Sequence, residues 1–178
     1  MERELHGLGM EKASFAVGFH ELAEPGPSGL ERAEFLFSAN PGEQVKPLSK
    51  IASGGEISRV MLALKVVLSA ADRVPTLIFD EVDAGVGGRA GSALGRKLLE
   101  ASAGRQVLCV THLPQVASQA EEHFVVEKGT KGGRTRVSVR KLTGPERVDE
   151  VTRMLGGEGS KAASAHAREL VERGGGNA

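Results

Sequence analysis

Two segments near the start of the chain alternate apolar and polar residues. Residues 13–20 (ASFAVGFH) place Phe and Val side chains on one face, and residues 32–38 (RAEFLFS) form a second apolar run flanked by turn residues. A period of two is typical of strands that bury one face. Because PGPSG at 25–29 lies between them, we predict two antiparallel strands joined by a connection longer than a tight hairpin.

Beyond Pro47 the pattern changes to alternating helices and strands. Apolar residues at helical spacing over residues 56–71 predict a helix with a broad apolar face. The continuous apolar runs at 76–80 (TLIFD) and 106–111 (QVLCVT) are typical of parallel strands that are buried on both faces. We predict further helices at 88–104, 113–120, 145–155 and 161–173, and a hairpin around the GTKGGR turn of residues 129–134.

The order of these elements predicts an α/β domain with an antiparallel contribution. Residues 13–173 form its body. Residues 1–12 suit either the last turns of a helix that begins outside the chain or a frayed terminus. The GGGNA of residues 174–178 is typical of a disordered tail.

Composition narrows the function classes. The 178 residues carry 23 Lys or Arg and 23 Asp or Glu, so bulk electrostatic binding of nucleic acid or membrane is not expected, although a local patch is still allowed. Aromatic residues are 3% of the chain, which disfavours a surface that stacks bases. Cys109 is the single cysteine, which excludes a disulfide within the chain. The histidines lack zinc-ligand spacing, so a zinc site is not expected. With no signal peptide or membrane-length apolar run, we expect a cytoplasmic protein that does not enter a membrane.

The first group of residues with chemical potential precedes the helix predicted at 56–71. Ser53, Gly54, Gly55 and Glu56 place a hydroxyl and two unhindered amides at a helix N-terminus, where unpaired N–H groups and the helix dipole favour a phosphate. The alternative is an S-x-x-E capping box. Because the capping box leaves both glycines unexplained, we favour anion binding.

The second group follows a predicted buried strand. Asp80, Glu81 and Asp83 lie at its carboxyl end, the edge where ligands of α/β sheets bind. Asp80 suits a magnesium ion bound to nucleotide phosphates, and Glu81 could orient or deprotonate a water molecule. The alternative is a solvated acidic turn.

The third group, Thr111 and His112, ends the next predicted strand at the same edge. A lone histidine is more often a surface or hydrogen-bonded structural residue. Cys109 lies inside the apolar strand, where a thiol is typically inert.

Together, these groups resemble the second half of an ATP-binding-cassette ATPase. SGGE is similar to its signature motif, LIFDE to its Walker B motif, His112 to its switch histidine and Asp83 to its D-loop aspartate. Longer segments resemble the C-terminal part of the RecN family of bacterial double-strand-break repair proteins, relatives of the structural-maintenance-of-chromosomes (SMC) proteins. These segments are EFLFSANPGE, DEVDAGVGGRAG, VTHLPQVAS, RMLGG and HAREL.

The resemblance implies a fold and a set of roles. The fold would be the C-terminal half of an SMC-like ATPase head, a mixed sheet flanked by helices with a coiled-coil end at residues 1–12. In a head-to-tail homodimer of heads, the signature residues Ser53, Gly54, Gly55 and Glu56 would contact ATP held by the opposite head. Asp80 would position Mg²⁺, Glu81 would polarise water, His112 would contact the γ-phosphate and Asp83 would couple the two sites.

One departure limits the activity expected of this chain. No segment matches G-x-x-x-x-G-K-[ST], the Walker A loop that holds the β- and γ-phosphates. In the family that loop belongs to an N-terminal head segment across a long coiled coil, so we expect the chain alone to be inactive as an ATPase. The resemblance implies DNA repair and recombination, DNA as a partner of the full protein and a nucleoid-associated location. Alternatives are a head fragment of another SMC-like or cassette ATPase and a non-enzymatic dimerisation module.

Overall fold

The computed structural model describes residues 1–51, 53–131, 134–157 and 159–175. The chain forms two compact units, Met1–Thr111 and His112–Ala178. Both units combine helices and strands, so the predicted α/β class is confirmed. Among the described residues, the parallel and antiparallel pairings that we expected in one mixed sheet occur in separate sheets.

The first helix, α1 (Glu2–Gly7), packs into the first unit. Leu5 and Leu8 are buried, which contradicts a frayed terminus, and Lys97 Nζ donates to a Glu4 carboxylate oxygen at 2.6 Å. The helical part is six residues long. A helix of this length does not test whether residues 1–12 form the end of a coiled coil, so that assignment stays a prediction.

The strands predicted from the first alternation are β1 (Ser14–Gly26) and β2 (Gly29–Ser38). They pair antiparallel from Ser14 and Ser38 to Gly26 and Gly29, with a shift of register near the turn. The predicted long connection is wrong, because both strands extend into the PGPSG segment. Gly29 has a φ of 115°, a conformation that glycine adopts at little cost, and it permits this tight reversal.

A short strand, β3 (Lys46–Pro47), extends the antiparallel sheet beside β2. A 3₁₀ turn at Leu48–Lys50 follows and leads to α2 (Gly54–Val67), which begins two residues before the predicted helix and ends four residues before its predicted end. The buried side of α2 includes Val60, Leu62 and Ala63. This helix thus contributes a large share of the core of the first unit.

The parallel sheet consists of β4 (Thr76–Phe79) and β5 (Gln106–Cys109), connected through α3 (Gly88–Ala101). One face is packed, with Leu77 and Phe79 buried. The prediction that both faces are buried is wrong, since Ile78 is 70% exposed and Leu108 and Val110 are exposed beside it. The helices of this unit cover one face of the two-stranded sheet and leave an apolar face uncovered.

The N-terminal turn of α2 packs against the loop that follows β4. A Cβ atom added at Gly55 would lie 2.9 Å from the Ala84 Cβ and 3.1 Å from the Glu81 carbonyl oxygen. One added at Gly54 would meet only the end of the Glu81 side chain, at 2.8 Å from Oε2. Gly55 therefore permits a close approach of backbone to loop, whereas Gly54 faces a group that can rotate away.

An ion cluster anchors the end of α2 to the approach to β5. Asp72 accepts hydrogen bonds from Lys65 Nζ at 2.8 Å and from Arg105 Nη1 at 3.2 Å. The hydrogen bond from Lys65, and then that from the Val74 amide, lowers the pKa of Asp72 below its ordinary value of 3.8. Burial opposes this change.

The second unit consists of α4 (Pro114–Ala117), the hairpin β6 (His123–Lys131) and β7 (Arg134–Leu142), α5 (Gly144–Met154) and α6 (Lys161–Gly175). The predicted hairpin is confirmed, although residues 132 and 133 of its turn lie outside the described residues.

Side chains pair with the free backbone groups at the C-terminus of α4 and at the N-terminus of α5. Arg147 donates to carbonyl oxygens at the C-terminus of α4, including Ser118 O at 2.9 Å. Thr143 and Glu146 form a capping box at the start of α5. Burial, followed by the charge of Arg147, lowers the pKa of His123.

Two residues of the tail expected at 174–178, Gly174 and Gly175, belong to helix α6. Helix α6 continues through Gly175, and a Cβ at Gly174 would overlap the Ser118 carbonyl oxygen, so this end of the helix packs closely within its unit. Residues 176–178 lie outside the described part of the chain. Within the described part, no helix combines the length and the apolar character needed to cross a bilayer.

Replacing Gly55 and Gly54 separately with Ala tests the approach of α2 to the loop. Gly55→Ala should lower the free energy of unfolding by about 1 to 3 kcal/mol, because backbone and Ala84 obstruct the methyl group. Gly54→Ala should change it by less than about 1 kcal/mol, because Glu81 can rotate and Ala favours the helix. Urea unfolding of both variants measures the difference, and equal effects would contradict this packing.

Replacing Asp72 with Asn tests the ion cluster. Since the folded pKa of Asp72 is depressed, its charge stabilises the fold above the ordinary pKa of 3.8, and this contribution disappears as the pH falls through the folded pKa. Asp72→Asn should therefore be less stable than wild type near about pH 7 and converge with it towards about pH 2. Urea midpoints across this range measure the effect. The exposed Glu11→Gln in the same unit is the control, and parallel curves for Asp72→Asn and wild type would contradict the prediction.

Candidate functional site

The loop after β4 presents two exposed carboxylates at the carboxyl end of the parallel strands. Asp80 and Glu81 are both exposed. Glu81 has a φ of 55°, and it is the one residue other than glycine with a positive φ in the described ranges. Such a conformation costs on the order of 1 kcal/mol or more, and it occurs preferentially at functional sites. The loop thus holds Glu81 in an uncommon backbone geometry at the predicted ligand edge.

The N-terminus of α2 carries the predicted signature residues. Ser53 is the N-cap, and its Oγ accepts a hydrogen bond from the Glu56 amide at 3.4 Å. Ser53 and Gly54 are exposed, whereas Gly55 is buried. The capping alternative therefore accounts for Ser53, and the exposed hydroxyl and first-turn amides still form the kind of surface that favours an anion.

These two groups of residues contact each other in the first unit. The Glu81 carboxylate lies beside Gly54, and the Glu81 backbone and Ala84 lie against Gly55. Close packing alone requires a small residue at position 55, so the capping alternative leaves one glycine unexplained and not both. Gly54 has no comparable obstacle in backbone.

Two residues that the sequence analysis missed join α2 to the same loop. Ser58 Oγ donates to Asp80 O at 2.9 Å, and Arg59 Nη1 donates to Ala84 O at 2.8 Å and Val82 O at 3.3 Å. Arg59 is 9% exposed, and burial lowers its pKa while Glu56 opposes the change. The sequence signal that could have indicated Arg59 is a basic residue next to the apolar positions of an amphipathic helix.

Asp83 is held inside the first unit. It is 3% exposed and accepts a hydrogen bond from Thr111 Oγ1 at 2.5 Å. Burial, followed by the charges of Asp83 and Asp80, raises the pKa of the Cys109 thiol to about 12. Cys109 is therefore protonated near neutral pH, in agreement with its expected inertness.

The first unit brings together seven of the eight predicted site residues, the four at the start of α2 and the three in the loop after β4. His112 is the first residue of the second unit, where its side chain is exposed. No group of three or more metal-ligating side chains occurs in the described ranges. Magnesium that is bound with nucleotide phosphates needs only one or two carboxylates, so exposed Asp80 fits such an ion.

Known proteins resemble this chain over nearly all of its length. It is 48% identical over 177 residues to the DNA repair protein RecN of Halalkalibacterium halodurans, covering 97% of this chain and 31% of that protein. It is 52% identical over 164 residues to RecN of Deinococcus radiodurans, covering 92% of this chain and 29% of that protein. The chain thus spans about a third of the length of these curated relatives.

A solved structure resembles the chain in fold. The Smc head domain with a coiled coil and joint from Pyrococcus yayanosii has a TM-score of 0.57 and 20% identity, covering 85% of this chain and 28% of that structure. This likeness confirms the predicted fold of an SMC-type head. No protein-family model matches the chain. On the strength of 40–52% identity to several RecN proteins, the chain belongs to the RecN family of DNA repair proteins.

Proposed function

We propose that this chain is one half of an ATP-hydrolysing head that acts in DNA repair. It would supply the signature motif, the Walker B carboxylates and the switch histidine to a dimer of such heads. The observation that carries the proposal is the contact between the N-terminus of α2 and the loop after β4. This contact brings an anion-binding helix end beside two exposed carboxylates.

The uncovered face of the parallel sheet supports the need for a second half. Ile78 of β4 is 70% exposed, and Val110, which directly follows β5, is 64% exposed, although both lie in runs with the apolar character of a sheet interior. A lobe that contains the Walker A loop would cover this face and place its phosphate-binding amides at the same sheet edge. Burying these side chains would stabilise the composite head by roughly 1.5 to 3 kcal/mol for each large residue.

In the proposed dimer, α2 binds the ATP of the opposite head. Ser53 Oγ and the amides of Gly54 and Gly55 are donors at the positive end of the helix, where the γ-phosphate carries negative charge. Glu56 keeps Ser53 oriented, because its amide donates to the Ser53 hydroxyl oxygen. That hydroxyl proton is then free to point towards the phosphate.

The loop carboxylates act on the ATP of their own head. Asp80 would hold magnesium, which when bound would supply positive charge beside the phosphate oxygens. Glu81 orients the attacking water and accepts its proton. His112 donates to the γ-phosphate. These residues work by position and electrostatics and form no covalent bond to the nucleotide.

The same loop also connects the two sites of the dimer. Gly54 and Glu81 of one chain would belong to different ATP sites, yet they are in contact within that chain. Arg59 and Asp83 anchor the loop to α2 and β5 respectively. Because Asp83 is buried, we propose that it couples the sites by holding the loop in place. The interface contact that the resemblance implies for Asp83 would require the loop to open.

We assign DNA repair and a DNA partner to this chain by its similarity to its relatives, which are DNA repair proteins. A dimerisation module without catalysis is a second candidate function. The cap at Ser53 and the packing of Gly55 favour it, since both explain signature residues without a ligand. The two candidates differ in whether Glu81 and Ser53 act on nucleotide, and the following experiments separate them.

Replacing Glu81 with Gln tests the role of the carboxylate. In a head assembled from this chain and the Walker A segment of its RecN protein, Glu81→Gln should retain ATP binding and lower hydrolysis by at least about a hundredfold, because the water loses its base. ATP-dependent dimers should accumulate. Steady-state turnover and light scattering measure both effects.

The matched control for this prediction is Glu11→Gln, an exposed carboxylate of the same unit, which should hydrolyse ATP at the wild-type rate. The chain without the Walker A segment should show negligible turnover. Turnover of the lone chain at the rate of the assembled head would contradict the half-site proposal, and unchanged turnover of Glu81→Gln would remove Glu81 from the base role.

Replacing Ser53 with Arg separates ligand binding from helix capping. Ser53→Arg should abolish ATP-dependent dimerisation of the assembled head while one head still binds ATP, because the larger side chain obstructs the trans phosphate. Ser160 caps α6 in the same way, since its Oγ accepts from the Ala163 amide at 3.3 Å. Ser160→Arg should lose a similar cap, worth about 0.5 to 2 kcal/mol, and still dimerise. Equal dimerisation of the two variants would favour the dimerisation module.

A further inference from the structure

The charges of the chain are distributed unevenly. Residues 123–142, which include both strands of the second-unit hairpin, hold six Lys or Arg and one Glu, a formal charge of +5. The remaining residues hold 17 Lys or Arg and 22 Asp or Glu, a formal charge of −5. The zero net charge therefore conceals a basic hairpin in a chain that is otherwise acidic.

The register of the hairpin divides its side chains between two faces. Exposed residues at alternate positions of β7 form what we call the arginine face, composed of Arg134, Arg136, Ser138 and Arg140. Successive positions along it are about 6.8 Å apart, because a strand rises about 3.4 Å per residue. The opposite face exposes four apolar residues, Phe124, Val126, Val137 and Val139, together with Lys128 and Lys141.

Few of these cations are neutralised. Arg140 pairs with Glu146 at 2.7 Å, and Lys141 on the opposite face pairs with Glu122. Among carboxylates of the described ranges, none forms an ion pair with Arg134 or Arg136. Glu127 is the one acidic residue of the hairpin, and it lies on the arginine face diagonally across from Arg136 and Arg140. Arg134 and Arg136 thus carry exposed charge that the fold does not use.

We infer that the arginine face binds the phosphate backbone of DNA. This inference rests on the proposed function, which requires DNA as a partner, and it adds the surface that makes the contact. Guanidinium groups present fixed pairs of N–H donors that match phosphate oxygens, and the Ser138 hydroxyl is an additional donor. Cations repeated along an extended strand suit a polymer with regularly spaced negative charges.

The chemistry of the face favours backbone contact over recognition of bases. The described arginine face contains no Phe, Tyr or Trp on which a base could stack, and Phe124 lies on the other side of the hairpin. Phosphate contacts position a protein on DNA without selecting a sequence. The arginine face should therefore bind duplexes of different sequence with similar affinity.

Protection of exposed strand edges is the competing explanation of the charges. Both strands of a two-stranded sheet are edge strands, and charged side chains on edges prevent pairing with other chains. Edge protection works with charge of either sign and most often uses Lys, whereas three of the four exposed positions of the arginine face are Arg. The preference for Arg is what DNA binding explains.

Fluorescence anisotropy of a short labelled duplex with the 178-residue chain, without nucleotide, tests the inference. Binding by the wild type should weaken linearly in the logarithm of salt concentration between about 50 and about 200 mM. The double variant Arg134→Ala, Arg136→Ala should bind roughly tenfold more weakly at about 50 mM salt. Its salt slope should be smaller by about 1.8, or 0.9 for each lost phosphate contact.

The double variant Arg73→Ala, Arg96→Ala is the matched control. Both of these arginines are exposed and have no ion-pair partner in the described ranges, so the variant loses the same charge elsewhere and should bind like wild type. Glu127→Gln removes the carboxylate from the arginine face and should tighten binding by about two- to threefold. Circular dichroism of each variant checks that the chain is folded.

Three results would overturn the inference: no binding of the duplex by the folded wild type at about 50 mM salt, an equal loss in the control variant, or binding of polyglutamate as tight as that of DNA. The last result would assign the face to an acidic polypeptide. Because this measurement needs neither ATP nor a second lobe, its failure would leave the ATP-site experiments unaffected. Failure of those experiments would likewise leave the hairpin measurement intact.

Discussion

The close approach of α2 to the loop after β4 is the interaction on which the candidate site depends. Gly55 lets the first turn of the helix reach the Glu81 carbonyl oxygen and Ala84, and Arg59 donates to carbonyl oxygens of the same loop. A side chain at position 55 would separate the two elements. The N-terminal end of the helix and the carboxylates of the strand end are therefore held together by backbone proximity and a buried guanidinium group, both inside one unit.

This arrangement has a consequence for how a dimer of heads would work. In the proposed dimer, Ser53 and Gly54 of one chain would contact one ATP molecule, and Asp80 and Glu81, in the loop that packs against them, would act on the other. Because Arg59 and Asp83 fasten the loop at both sides, a displacement caused by nucleotide at one site would reach the other through a short, packed connection. The positive φ of Glu81 shows that the loop is already held in a strained conformation.

Much of the fold follows from local patterns, and the errors occur where a pattern depends on its surroundings. Alternation identified β1 and β2, but the turn between them is tight because both strands continue into a segment rich in Pro and Gly. The apolar runs identified β4 and β5, but the second face of these strands is exposed. Apolar residues indicate that a strand can be buried, but they do not indicate whether another element covers it. The roles of Gly55 and Arg59 depend on a loop about 25 residues away in sequence, so no local pattern could reveal them.

The sequence by itself determined the order of elements, the family resemblance and the chemical groups at the ends of the strands, because periodicity and motif spacing are properties of the chain alone. The tertiary structure decided which of those groups meet. It brought Gly54 beside Glu81, buried Asp83 against Thr111, and left Ile78 uncovered. It also left exposed the face of the hairpin that holds Arg134 and Arg136. These outcomes depend on pairing register and on packing between distant segments, and neither is encoded in the spacing of residues along the chain.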